Sequence, residues 1–195
     1  MTDRSDEELL VAYRGGDSDA FEALFARHRL LLFNVVLRSV RDRGRAEEIY
    51  QDVWMKVIER SGEFRGDAKF STWLYTIARN LCIDHQRKMK FRGHTSLDAA
   101  SPGADTAIRD RVSNPGPSTE QLAAGRLIRA RIVEAVQGLP QEQREVFLLR
   151  QLRGMPFSEI ADVVGVPMNT VKSRMRYALE RLQTALAEWE RPDEL

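Results

Sequence analysis

The spacing of the apolar residues constrains the fold more than any other feature of this sequence. On both sides of residue 100 these residues recur every three or four positions, which is the repeat of one face of an α-helix. The longest stripe predicts a helix over residues 19–40 and consists of Phe21, Leu24, Phe25, His28, Leu31, Leu32, Val35, Val36 and Val40. No stretch alternates apolar and polar residues as a half-buried strand would. The pattern therefore predicts an all-α protein.

Three shorter helices are predicted around the long one. Residues 6–14 form the first, and the apolar residues within 49–58 mark another. A fourth helix is predicted to begin with Ser71 or Thr72 as its N-terminal cap and to end near Lys90. Together the four helices predict a small bundle.

The apolar stripe stops in the middle of the chain. Residues 92–117 are interrupted by glycine and proline, at Gly93, Pro102, Gly103, Pro115, Gly116 and Pro117. We interpret this stretch as a flexible linker that joins two small helical domains, residues 1–91 and 118–195. Ser118 and Gln121 predict a capping box at the start of the second domain.

Residues 157–175 have the spacing of a helix-turn-helix. Ala161 is small where two helices approach, Gly165 suits a turn with positive φ, and Val171 points inward to hold the second helix. The outward face of that second helix suits the major groove of duplex DNA. This face consists of Asn169, Lys172, Ser173 and Arg176, and it is flanked by Thr170 and Arg174. The alternative is a packing unit of three helices whose polar face meets only water.

A second group of residues is typical of binding to single-stranded nucleic acid. Aromatic residues surround a glycine-containing loop and precede a run of cations and an amide: Phe64, Phe70, Trp73 and Tyr75, then Arg79, Asn80, Arg87 and Lys88. Bases stack on aromatic rings, and an amide can bind the edge of an unstacked base. For Trp73 and Tyr75, a place in the hydrophobic core is an equally good interpretation.

Composition excludes several other classes of protein. The single cysteine, Cys82, excludes an internal disulfide framework, and with three histidines it leaves no metal-ligand spacing, so we expect no metal and no cofactor. No catalytic arrangement is expected, because Cys82 and Asp84 point to different sides of a helix. The longest apolar run covers only residues 30–33, which predicts a cytoplasmic protein without membrane insertion. A net charge of +1 conceals two basic stretches, residues 71–94 and 170–181.

Two parts of the sequence resemble bacterial sigma factors. DAFEALFARHRLLLFNVV, AEEIYQDVWMKV and FSTWLYTIARNLCIDHQRK are similar to region two of that family. GLPQEQREVFLLRQLRGMPFSEIADVVGVPMNTVKSRMRYALERL is similar to region four. Regions one and three of the housekeeping members have no counterpart, which is typical of the extracytoplasmic-function (ECF) subgroup.

The resemblance implies a promoter-specificity subunit that is not itself an enzyme. Its expected partners are core RNA polymerase, promoter DNA in duplex and single-stranded form, and an inhibitory anti-sigma factor. The polymerase contact implied by the family is Glu48, Gln51, Asp52 and Met55. The implied minus-ten contacts are Phe64, Phe70, Trp73, Arg79, Asn80, His85, Arg87 and Lys88. The implied minus-thirty-five contacts are the outward-facing and flanking residues of the second helix of the helix-turn-helix: Asn169, Thr170, Lys172, Ser173, Arg174 and Arg176. A repressor or activator with the same helix-turn-helix remains the main alternative.

Overall fold

The structure, a computed structural model, describes residues 4–66, 68–93 and 119–189. Within these ranges the chain forms helices and no strands, so the prediction of an all-α protein is confirmed. The helices are α1 (Asp6–Arg14), α2 (Ser18–Val40), α3 (Arg43–Arg60), α4 (Phe70–Gly93), α5 (Thr119–Gly138), α6 (Gln141–Arg153), α7 (Phe157–Val164) and α8 (Met168–Trp189). A short 3₁₀ turn, Ser61–Glu63, follows α3. None of the described helices is long and apolar enough to cross a membrane.

Side chains that accept hydrogen bonds from the first turn fix the starts of the early helices. The Ser5 hydroxyl accepts from the Glu8 N–H, while the Glu8 carboxylate accepts from the Ser5 N–H, which completes a capping box. Asp17 and Asp42 accept from the first turns of α2 and α3 in the same way. Each carboxylate satisfies an amide that has no partner within its own helix.

Helix α4 begins earlier than predicted. Ser71 and Thr72 were the expected caps, but the helix begins at Phe70, and both hydroxyl residues are buried in its first turn. The Phe70 N–H donates instead to Glu7 Oε1 at 2.7 Å. A carboxylate on α1 therefore replaces the local cap, and a negative charge suits this end of the helix dipole. The other end also differs, because α4 continues past Lys90 to Gly93.

Helices α1 to α4 form a first helical unit in which α2 contacts the other three. Side chains with no exposed area fill its centre: Leu10, Leu24, Leu32, Val36, Val53, Val57, Phe70 and Leu74. A row of ring contacts runs between α1, α2 and α3 and consists of Tyr13, Phe21, Trp54, Phe25, Tyr50 and Phe33. Phe70 and Leu74 anchor the first turns of α4 in this core.

Helices α5 to α8 form a second helical unit that contains the predicted helix-turn-helix. Gly165 ends α7 with φ +69°, and its N–H donates to the Ala161 carbonyl at 2.8 Å. Only glycine adopts this left-handed conformation without strain, so the turn needs this residue. Val171 has no exposed area and packs in the core, as its spacing predicts. The capping box at Ser118 and most of the predicted linker lie outside the described residues, and the domain limits stay a prediction.

The two units pack directly against each other along an interface that we call the seam, formed by α2 and α4 on one side and α6 and α7 on the other. One continuous apolar cluster crosses it. The first unit contributes Val35, Ala78 and Cys82, and the second contributes Leu149 and Val163. This contact was not predictable from the sequence, because apolar periodicity does not identify the partner of a buried face.

Candidate nucleic-acid interface

The first turns of α8 present a polar face to solvent. Asn169, Lys172, Ser173 and Arg176 are exposed and Thr170 is partly exposed, while Val171 and Met175 point into the core. The Ser173 hydroxyl donates to the Asn169 carbonyl at 2.7 Å, so its hydrogen is already used within the helix. Helical geometry thus places amide, hydroxyl and cationic groups on one side of a helix that follows a tight turn.

Arg174 lies on the flank of this face rather than on it. Its Nη2 is 2.7 Å from Glu142 Oε2 on α6, and only 18% of the side chain is exposed. The guanidinium is therefore held toward the body of the second unit. Sequence spacing predicted Arg174 beside the groove-facing residues, and the contact with Glu142 was not foreseeable from α8 alone.

Two aromatic residues of the predicted single-strand surface belong to the core. Phe70 has no exposed area and contacts the rings of His28, Phe64 and Trp73. Phe64 is 9% exposed and lies 5.3 Å from the Trp73 ring. Neither ring offers a face to a base, so the prediction that these two phenylalanines stack on nucleic acid is corrected. Their own packing against neighbouring aromatic rings is the physical reason.

The other predicted contact residues on α4 differ in solvent exposure. Asn80, Arg87 and Lys88 are exposed, and Trp73 is partly buried at the edge of the phenylalanine cluster. Burial lowers the pKa of His85 below its usual 6.5, and the nearby Arg45 adds to this effect. A neutral imidazole at pH 7 neutralises no phosphate, so the cations near the end of α4 carry the electrostatic attraction here.

Arg79 is engaged across the seam. Its Nε lies 2.5 Å from Glu145 Oε1 on α6, and about a quarter of the Arg79 side chain is exposed. Burial raises the pKa of Glu145, while the opposing charge of Arg79 lowers it. A residue predicted to guide the DNA backbone is thus paired with a carboxylate of the second unit.

The residues predicted to contact polymerase share the outer face of α3. Glu48, Gln51, Asp52 and Met55 are all exposed, and Met55 keeps 54% of its surface accessible. Ile58 adjoins Met55 one turn later and is 38% exposed, although its spacing predicted a buried position. The face therefore combines acidic and apolar groups.

Sequence analysis missed two features of the second unit. The apolar stripe of α5 includes Leu127, Ile128 and Ile132, which are 53%, 46% and 45% exposed. Periodicity predicted a buried stripe, but it cannot distinguish a core face from an uncovered one. The acidic residues Glu142 and Glu145, which pair with Arg174 and Arg79, also gave no local signal.

The described residues contain no group of three or more potential metal ligands. Cys82 is a free, buried thiol, and burial raises its pKa to about 12. The thiol therefore stays protonated near neutral pH, which makes it a poor nucleophile.

Comparison with known proteins agrees with this architecture. A profile of sigma-70 region 2 matches residues 24–92, and a profile of sigma-70 region 4 matches residues 129–182. The RNA polymerase sigma-H factor of Pseudomonas aeruginosa is 30% identical over 190 residues, which cover 95% of this chain and 96% of that protein. The ECF RNA polymerase sigma factor SigM of Mycobacterium tuberculosis is 32% identical over 184 residues, covering 94% of this chain and 86% of that protein.

Solved structures support the same fold. The sigma factor RpoE of Bartonella quintana, in complex with the anti-sigma factor NepR, superposes with a TM-score of 0.70 at 24% identity, covering 86% of this chain and 96% of that one. CnrH, in complex with the cytosolic domain of CnrY, gives 0.68 at 23% identity over 95% and 99% of the two chains. A four-helix unit followed by a helix-turn-helix unit, matched by both profiles, defines a transcription initiation factor of the sigma-70 class. The chain belongs to the ECF RNA polymerase sigma factors.

Proposed function

We propose that this protein binds core RNA polymerase, directs it to promoters that carry minus-ten and minus-thirty-five elements, and assists opening of the minus-ten element. Membership of the ECF sigma factors supports the general role. The observation that carries the DNA-binding part is the exposed first half of α8, where polar residues and cations follow a rigid turn.

The α8 face is our candidate for the minus-thirty-five contact. Lys172 and Arg176 would neutralise phosphates or bind guanine edges, and Asn169 and Thr170 would bind bases or fix the register on the backbone. Because Val171 and Met175 are anchored in the core, the helix presents these groups without a rearrangement of its own unit.

The outer side of α4 is our candidate for the minus-ten contact. Asn80 is exposed and would bind the edge of an unstacked base, with Trp73 at the border of the surface. Arg87 and Lys88 would guide the backbone, and Arg79 would join them once released from Glu145. With Phe64 and Phe70 in the core, recognition rests on the amide and the cations more than on aromatic stacking.

The outer face of α3 is our candidate for the polymerase contact. Asp52 and Glu48 would meet basic residues of the polymerase, and Met55 with Ile58 would supply apolar area. Asp52→Ala should weaken binding to core enzyme several-fold, because one charged contact of a large interface is lost. Unchanged affinity would remove Asp52 from the interface.

Regulation by an anti-sigma factor is part of the proposal. One structural neighbour, RpoE of Bartonella quintana, is a sigma factor in complex with an anti-sigma factor, and a second, CnrH, is in complex with the cytosolic domain of CnrY. A cytoplasmic site of action follows from the proposed partnership with RNA polymerase.

One experiment separates this function from that of a simple repressor or activator. The purified chain is added to sigma-free core polymerase with genomic DNA of the host, and transcript starts are mapped. Starts that share two spaced motifs support the proposal. DNA binding without any change in start sites would favour the repressor or activator instead.

A further inference from the structure

The guanidinium of Arg176 contacts two other side chains of α8. Its Cζ lies 4.7 Å from the centre of the Tyr177 ring, and its Nη1 lies 3.8 Å from Glu180 Oε1. Tyr177 is 46% exposed, and Arg176 and Glu180 are exposed as well. Successive residues of a helix point about 100° apart, so the ring contact depends on a bend of the arginine side chain. Helical period alone therefore does not predict it.

These contacts leave the N–H groups of Arg176 available to a ligand. A separation of 3.8 Å exceeds the length of a hydrogen bond, and Arg176 makes no hydrogen bond among the described residues. The attraction between a cation and an aromatic ring acts through the ring face, so it uses no N–H donor either. An exposed ion pair contributes little, whereas a ring restrains a cation even at an exposed position. The Tyr177 ring is therefore the main restraint on the orientation of Arg176.

A second contact between an arginine and a ring provides a comparison within the same unit. The Cζ of Arg150 lies 5.1 Å from the centre of the Phe157 ring. Its Nη1 also donates to the Met155 carbonyl at 3.0 Å and to the Gly154 carbonyl at 3.5 Å. Those hydrogen bonds close the end of α6, so Arg150 serves the fold. Arg176 has the ring contact without such hydrogen bonds, which favours a role toward a ligand.

Orientation matters for one kind of DNA contact and much less for the other. The attraction of a cation to a phosphate has little directional preference, so a mobile side chain suffices for it. Lys172 is such a cation, because it is exposed and has no ion pair or ring contact within the described part of the chain. A bidentate contact to O6 and N7 of guanine requires two N–H groups in a fixed plane. An arginine that is oriented beforehand loses less conformational entropy when it makes this contact.

We propose that Tyr177 is a positioning residue for sequence recognition at the minus-thirty-five element, and that its ring holds the Arg176 guanidinium in the orientation that binds a base edge. This inference rests on the proposed function. Tyr177 acts through Arg176 and needs only its ring, so its hydroxyl is dispensable. Loss of the ring should lower the affinity for the correct element by about two- to fivefold, which is the contribution of a cation–ring contact at an exposed site.

A double-mutant cycle tests the proposal. Tyr177→Leu removes the ring but keeps an apolar side chain that favours a helix, and Tyr177→Phe is the matched control that keeps the ring. Both are made in the full-length chain, alone and together with Arg176→Ala, and each protein is assembled with core polymerase. Fluorescence anisotropy measures binding to two duplexes that share one minus-ten element, one with the correct minus-thirty-five element and one with that element scrambled. Circular dichroism first establishes that helical content matches the native chain.

We expect Tyr177→Leu to lower the ratio of the two affinities by about two- to fivefold and Tyr177→Phe to leave it unchanged. With Arg176→Ala already present, Tyr177→Leu should have no further effect, because its effect is transmitted through the arginine. Affinity for the scrambled duplex and its dependence on salt should not change, since no charge is lost.

Three results would overturn the proposal. An equal loss on both duplexes would mean that the ring does not serve sequence recognition. A loss that persists beside Arg176→Ala would mean that Tyr177 does not act through the arginine. A loss in Tyr177→Phe equal to that in Tyr177→Leu would assign the effect to the hydroxyl.

Failure of the inference is distinguishable from failure of the proposed function. If the native chain with core polymerase binds both duplexes equally, it does not recognise a minus-thirty-five element, and the proposed function is contradicted. If the native chain prefers the correct element and Tyr177→Leu keeps the full preference, the positioning role of Tyr177 alone is contradicted.

Discussion

The two proposed DNA surfaces differ in the exposure and the pairing of their cations. On α8, Lys172 and Arg176 face solvent from a helix that is anchored by Val171. On α4, Arg79 is bound to Glu145, and the neighbouring phenylalanines lie in the core. We infer that the α8 surface can bind duplex DNA as it stands. The α4 surface can bind a single strand with Arg79 only after the ion pair to Glu145 breaks. The predictions below test this difference.

The largest expected effect concerns the aromatic cluster at the start of α4. Phe70→Ala should lower the free energy of unfolding by about 3–5 kcal/mol, because it removes a fully buried ring and leaves a cavity. Urea denaturation measures the change, with Trp73→Ala as a partly buried control that should be less destabilising. If Phe70→Ala is as stable as the native protein and loses only binding to single strands, Phe70 contacts DNA and does not stabilise the core.

A smaller effect is expected at the exposed face of α8. Lys172→Ala combined with Arg176→Ala should weaken duplex promoter binding by about 100-fold, since each contact of this type contributes about 1–3 kcal/mol. Filter binding at fixed salt measures it, and affinity for core polymerase should not change. Arg174→Ala serves as the comparison and should lose less, because its guanidinium is already paired with Glu142. A loss from Arg174→Ala alone that equals the loss of the double variant would contradict the placement of Arg174 on the flank.

Asn80→Ala should reduce promoter opening by about tenfold, which corresponds to the loss of one polar contact to an unstacked base. Permanganate footprinting of the minus-ten region measures opening. On an artificially premelted promoter the variant should lose base preference while retaining most of its affinity. An unchanged base preference there would exclude Asn80 as the reader.

A last prediction concerns the chemical reactivity of a thiol inside the seam and has no effect on binding. Because burial raises the pKa of Cys82 to about 12, the native thiol should react with iodoacetamide at pH 8 far more slowly than a free cysteine. Mass spectrometry at timed intervals measures the alkylation. Reaction in native protein at the rate of urea-unfolded protein would mean that the seam is open in solution, which would remove the contrast between the two surfaces.

Local features of the fold were predictable from sequence, whereas distant partners were not. The turn at Gly165 and the inward position of Val171 follow from residues within one turn of each other. The cap on α4 comes from Glu7, and the partner of Arg79 comes from Glu145, both more than sixty positions away. The candidate site shows the same limit: the face of α8 follows from helical period, but the burial of Phe70 depends on how four helices meet.

The hydrogen bond from the Phe70 amide to the Glu7 carboxylate makes the start of α4 depend on a distant part of the chain. Through this bond the nine-residue helix α1 sets where α4, the helix proposed to contact the minus-ten element, begins. Loss of the Glu7 carboxylate would therefore change the start of α4 from a distance, without altering any residue that is proposed to contact DNA.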